Sequence, residues 1–270
     1  MRKLLLTIFC LASLNLLAQV TNEGKPVSWD LMIDYDETKK QYLPSFDLNK
    51  VKNEDKINDN KPATPWRFGY MHSVDYGFEH GQWTEFENGD RIWRILISST
   101  GALTLNFLLD DFYMPKGGKM YLYNNERTDL LGAYDYTQNT DTGTLGTWLV
   151  EGDSVWIEYF EPKEVYGLGR IHIAKATHGY RTSESYKQTK ALNGSGNCNL
   201  DVNCSIGDDW EDFKEHNKKS VALMLSNGSS FCTGALVNNT ENDGTPYFLT
   251  ANHCLSTPQG AFGLALLFGW

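Results

Sequence analysis

The sequence predicts an all-β protein made of two unlike units, and three observations carry that prediction. Short runs alternate apolar and polar residues at period two, the pattern of a strand with one face buried. Turn-forming residues fill the gaps between the runs. Apart from Cys10, every cysteine lies in the last third of the chain, so the cysteine-free stretch before them reads as a separate unit.

The alternation is plainest between residues 66 and 177. Leu103, Leu105 and Phe107 interleave with Thr104 and Asn106, and Val155, Ile157 and Tyr159 with Trp156 and Glu158. Met120 and Leu122 alternate with Tyr121 and Tyr123, and Ile171 and Ile173 flank His172, which therefore points outward. The gaps carry Asn88-Gly89-Asp90, Pro115-Lys116-Gly117-Gly118, Asn124-Asn125 and Glu151-Gly152-Asp153. No segment here sustains a helical repeat, and many short strands with turns between them point to a β-sandwich-like unit over 66–177.

The flanks differ in texture. Arg2 and Lys3 precede an apolar run that ends at Leu17, and Ala18 is a small residue suited to cleavage; residues 1–18 read as a signal peptide, too short for a membrane span. Cys10 follows the bulky Phe9, so no lipid anchor is expected there. The chain is therefore expected to be secreted, crossing the periplasm. Removing Arg2 and Lys3 takes the formal charge from -10 to -12, an acidic balance that argues against nucleic-acid or anionic-membrane partners. Residues 19–65 are polar and lysine-rich, with a charged, Asn- and Pro-rich stretch at 50–65, and read as an extended or loosely packed pro-segment. Residues 178–192 form a polar linker with basic cleavage options at Arg181, Lys187 and Lys190.

From residue 193 onward strands resume. Val221 to Leu225, Phe231 to Val237 and Pro246 to Thr250 are separated by Asn227-Gly228 and Asp243-Gly244, which make consecutive hairpins. The four cysteines left after the signal, Cys198, Cys204, Cys232 and Cys254, allow three disulfide pairings in an exported chain.

The chemistry concentrates in residues 231–255, FCTGALVNNTENDGTPYFLTANHCL. A strand opens with Phe231-Cys232 and carries the small step Thr233-Gly234-Ala235; a later strand runs through Leu249-Thr250-Ala251-Asn252 into His253-Cys254. This resembles the histidine loop of chymotrypsin-fold endopeptidases. With residues 196–201 (GNCNLD), Cys204, residues 237–240 (VNNT) and residues 246–253 (PYFLTANH), it is similar to the lysyl-endopeptidase branch of secreted bacterial proteases. Residues 65–69 (PWRFG) and 97–109 (ISSTGALTLNFLL) look like the pro-domain that precedes such enzymes.

The resemblance implies a partial chymotrypsin-type β-barrel over 193–270, His253 as general base, and a Cys232–Cys254 disulfide that fixes the histidine loop. It also implies peptide substrates cut after basic residues, no cofactor and no metal, a monomer, and processing at Lys190 so that the mature unit starts at Ala191. A zinc site built on Cys198, Cys204, His253 and Cys254 lacks paired C-x-x-C knuckles, and no HExxH is present. His72, His80, His172, His178 and His216 stand apart from any catalytic spacing and read as structural or surface residues.

The orienting aspartate and the serine nucleophile of that family follow the histidine far downstream. Here 16 residues follow Cys254, without an aspartate or a Gly-x-Ser-Gly run, and Ser256 is too close to His253 to serve. The apolar residues 260–270 (GAFGLALLFGW) match no feature of the resemblance and read as out-of-frame or truncated sequence. The chain is thus expected to be an incomplete precursor, catalytically incompetent alone. Two other readings remain: a secreted β-sandwich binding or adhesion protein, and an inhibitor or folding helper derived from the pro-domain.

Overall fold

Five large apolar residues in a run of eight, Ile92, Trp93, Ile95, Leu96 and Ile97, make β5 (Arg91–Ser98) a strand buried along its whole length. The computed structural model describes residues 24–61, 64–182, 185, 211–226, 228–255 and 264–268. Residues 1–18, expected to be a signal peptide and including Cys10, lie outside the described residues, as do Lys187, Lys190, Ala191, Cys198, Cys204 and Ser256.

Around β5 a six-stranded sheet forms. β11 (Ser154–Glu161) pairs antiparallel with β5 on one side and with β7 (Lys119–Asn124) on the other, and β8 (Leu130–Tyr134) follows β7. The far side of β5 takes β4 (Gln82–Glu85) and, in parallel, the short β1 (Gln41–Tyr42). A second sheet has the order β10 (Val150–Glu151), β6 (Thr104–Tyr113), β12 (Arg170–Gly179), β3 (Gly69–Tyr76), with β9 (Leu145–Gly146) also on β6. Trp93, Ile95, Ile97, Ile157 and Tyr159 of the first sheet meet Leu105, Phe107, Leu109, Ile171 and Ile173 of the second in one buried cluster. Burying a side chain of this size stabilises by about 1.5–3 kcal/mol each.

Several polar members of the alternating strands are buried as well, where other segments cover part of each sheet's outer face. On the first sheet, Ser28 donates its N–H to Glu158 Oε1 at 3.1 Å, while the Tyr123 hydroxyl donates to Glu158 Oε2 at 3.1 Å. Arg94 reaches the carbonyl oxygens of Ile33 and Asp34, so the segment before β1 lies over this face. On the second sheet, Thr104, Asn106, Thr177 and His178 are all buried.

Residues 19–65 were expected to be extended or loosely packed; the structure corrects this from residue 24 on. Leu48–Asn58 is a helix, α1, whose N-cap Asp47 accepts from the Lys50 N–H at 2.9 Å. One turn apart on one face, Val51 and Asp55 are buried, and this face is what orders a strongly polar sequence. Asp55 holds Arg67 Nη2 at 2.7 Å and Arg181 Nη2 at 2.5 Å, and accepts from the Tyr180 hydroxyl at 2.8 Å.

A third sheet contains the cysteine-bearing strands. Its order is β15 (Tyr247–Thr250), β14 (Ser230–Val237), β13 (Val221–Ser226), β16 (Ala265–Phe268), all antiparallel. Residues 264–268 of the apolar tail are thereby part of the fold, with Leu266 opposite Met224 and Leu267 opposite Leu223. β2 (Trp66–Arg67) completes this sheet by pairing with β14 at Phe231 and Ser230, rather than opening the sandwich as expected. A second helix, α2 (Glu211–Lys218), precedes β13. The fold is all-β; the third sheet is open, and among the described residues no closed barrel is formed. No helix of the described residues is long and apolar enough to cross a membrane.

Three of the isolated histidines, His80, His172 and His178, have hydrogen-bond partners for their rings, and the His80 ring accepts from the Gly77 N–H at 3.1 Å. His172 points outward as expected and bridges Asp110 and Asp75, whose carboxylates raise its pKa. His178 shares a 2.7 Å hydrogen bond with Ser99, and burial lowers its pKa and that of His72.

Candidate functional site: the His253 loop

The site is assembled on the β13–β14–β15 meander. The first hairpin pairs Ser226 with Ser230, and Gly228 between them has φ +70°. The second connection uses Asn242 and Gly244, both at positive φ, and Asp243 caps it by accepting from the Thr245 N–H, a bond that lowers the Asp243 pKa. β15 then pairs Thr250 with Gly234 and Tyr247 with Val237.

The small step in β14 has a steric cause. A Cβ at Gly234 would sit 2.4 Å from the Phe248 ring and 2.7 Å from the Leu249 carbonyl oxygen. Gly234→Ala is therefore expected to lower stability by about 1–3 kcal/mol, the usual cost of overpacking. Its thermal midpoint should fall while Ala235→Gly, on the same strand, shows no such clash; an unchanged midpoint for Gly234→Ala would refute the packing described.

After Thr250 the chain turns. The Cys254 N–H donates to the Ala251 carbonyl at 2.9 Å, which presents His253 at the surface. Cys254 itself points inward and is joined to Cys232 in a disulfide, with Cα atoms 6.1 Å apart. The disulfide packs on Met224, with Phe248, Leu255, Leu264 and Leu266 around it. Three polar contacts hold the loop from below. Ser226 donates its hydroxyl to the Cys254 carbonyl, and the Thr250 hydroxyl donates to the Thr233 carbonyl at 2.8 Å and contacts Met224 Sδ at 3.2 Å.

The result is an imidazole on a tethered backbone, open to solvent. Among the described residues no carboxylate lies in hydrogen-bond contact with its ring. The ring and the sulfurs of Cys232 and Cys254 fall within 4.8 Å of one another. With the sulfurs joined to each other, neither is the thiolate that zinc binds.

Sequence reasoning singled out Cys232, His253 and Cys254, and the structure brings these three together. It missed Ser226, Met224 and Thr250 as supports. Thr250 stands within the quoted motif, but Ser226 and Met224 precede it on β13, and only the pairing of Met224 with Cys232 brings them under the loop.

Comparison with known proteins bears on this same region. Residues 192–269 match the family model described as "Lysyl endopeptidase, C-terminal domain". The match takes in the tail 260–269, so the expectation that these residues resemble no family feature is corrected; within it Ala265–Phe268, as β16, pairs with β13. No solved structure matches the chain. The match supports a chain related, over residues 192–269, to the peptidases of the lysyl endopeptidase family.

Proposed function

We propose that the chain carries the histidine-bearing part of a secreted trypsin-like serine endopeptidase precursor. In this reading residues 1–18 direct export and residues 66–177 act as a pro-domain. The linker is cut after Lys190, so that the mature unit begins at Ala191. The enzyme works as a monomer on peptide or protein substrates, cleaving after basic residues, lysine foremost.

The observation that carries the reading is His253, exposed on a loop pinned by the Cys232–Cys254 disulfide, inside the stretch related to lysyl endopeptidases. In such a mechanism His253 takes the proton of a serine hydroxyl as it attacks the scissile carbonyl, then hands that proton to the leaving amine. An aspartate orients the imidazole and backbone donors stabilise the oxyanion. Hydrolysis by this mechanism needs an aspartate and a serine brought to the His253 imidazole.

The test is to place these residues in a polypeptide that supplies both and assay paired peptides that differ by Lys→Gln at the cleavage position. Cleavage of the lysine peptide and a mature N-terminus at Ala191 are expected. Equal cleavage of both peptides overturns the specificity, and a mature N-terminus upstream of Trp66 overturns the pro-domain role.

A further inference from the structure

We infer that the N-terminal region and the His253 sheet form a non-covalent interface that outlives a cut in the linker between them. The partner that fits the surface of β13 and β14 is this chain's own region 64–182. The inference concerns association alone and stands whether or not the peptidase reading holds.

Backbone pairing supplies the first layer. β2 lies antiparallel along β14, with Trp66 opposite Phe231 and Arg67 opposite Ser230. Directly beyond it, the Phe68 N–H donates to the Ser229 carbonyl at 2.8 Å and the Gly69 N–H to the same oxygen at 3.2 Å. The strand edge that β15 leaves open at the start of β14 is thus filled from the other side of the linker.

Apolar side chains supply the second. Trp66, Phe68, Leu223, Leu225 and Phe231 form one buried cluster, against which Trp148 and Leu149 of the sandwich also pack. The Phe231 ring stacks on Phe68 at 4.5 Å and on Trp66 at 5.9 Å. Buried aromatic anchors at the centre of a contact are the residues that dominate binding energy between separate chains.

The third layer is a matched polar contact. Asn106 on β6 and Thr177 on β12 stand on the outer face of the second sheet, where a two-layer sandwich exposes its polar residues to water. Here both are buried and both donate to one acceptor, the Gly228 carbonyl, at 3.0 and 2.9 Å. Because both donors are paired inside the contact, burying them there is compensated, and separating the two regions gives up these bonds while exposing the aromatic surface to water. None of the three layers includes a residue of the linker.

The experiment uses the full chain with a recognition sequence for a site-specific protease inserted between Lys190 and Ala191. After complete cleavage, verified on a denaturing gel, the two pieces should leave a native sizing column as one peak with the mass of the uncut chain. Trp66→Ala should release the pieces at the same micromolar concentration. Thr177→Val, which keeps the shape and removes one donor, should raise the dissociation constant on dilution by about fivefold to tenfold, and its circular dichroism should match that of the parent. Two separate peaks from the cut parent chain overturn the inference. So does a cut Thr177→Val chain that holds together as tightly as its parent.

Discussion

In a polypeptide that supplies the aspartate and serine, His253→Ala is expected to lower kcat by on the order of 10⁴ to 10⁶, with KM little changed. Losses of that size follow removal of one member of a catalytic triad, because nucleophile and base act as a unit. The geometry makes the test clean. The imidazole is exposed, and the loop is held by the disulfide, Ser226 and Thr250 rather than by the ring, so its removal should leave the fold intact. Opening the disulfide with Cys232→Ser and Cys254→Ser probes the other half of the design. The two cysteines are 22 residues apart, and losing that closure costs about 3 kcal/mol on the chain-entropy account. The histidine variant should therefore lose activity at unchanged stability, and the cysteine variant should lose stability first. Activity within tenfold of the parent in His253→Ala would end its assignment as general base.

The second large effect is expected far from the histidine, at Asp55. Its carboxylate is buried and serves two guanidinium groups and a hydroxyl: Arg67, Arg181 and Tyr180. Asp55→Ala leaves both arginines facing a site built for a negative charge. Breaking a buried ion pair from one side typically costs about 3–5 kcal/mol. Glu54, the neighbouring acid, is half exposed and pairs with Arg67 at 3.2 Å, so Glu54→Ala should cost well under about 1 kcal/mol. Urea titrations of the two variants separate these outcomes, and equal midpoints would show that the Asp55 cluster contributes nothing. The loss should also reach the third sheet, because Arg67 lends its side chain to α1 and its backbone to β14, while Arg181 stacks on the Trp66 ring at 4.5 Å.

Much of the architecture was legible in residue order. β6, β7, β11 and β12 fall on the alternating runs, and Gly89, Gly117 and Gly152 take the positive φ that their turns require. The hairpin strands β13, β14 and β15 were legible for the same reason, since period-two patterning and turn chemistry are local signals. What was not legible depends on partners distant in sequence. Helix α1 is polar along most of its length, and its burial depends on Arg67 and Arg181, which no local pattern announces. Strand β2 is two residues long, with nothing in PWRFG to say that it pairs with Phe231. Strand β16 reads as anomalous because it is apolar on both faces, yet one strand packs beside β13 and over the disulfide cluster. At the site, the residues that resemble known chemistry were legible, whereas the oxygen and sulfur atoms beneath the loop belong to β13 and appear only once the strands are in register.

The placement of β2 fixes an order of events. Its contact with β14 joins residues separated by more than half the chain, whereas the β13–β14 hairpin closes over one short turn. A hairpin forms in microseconds, and a distant strand joins only after the intervening chain has been gathered in. Ribosomes deliver the chain from its N-terminus, so Trp66 and the sandwich emerge well before Phe231 exists. The local hairpin can form by itself, but the sheet that bears His253 is complete only once a strand from the far side of the chain has been brought to it.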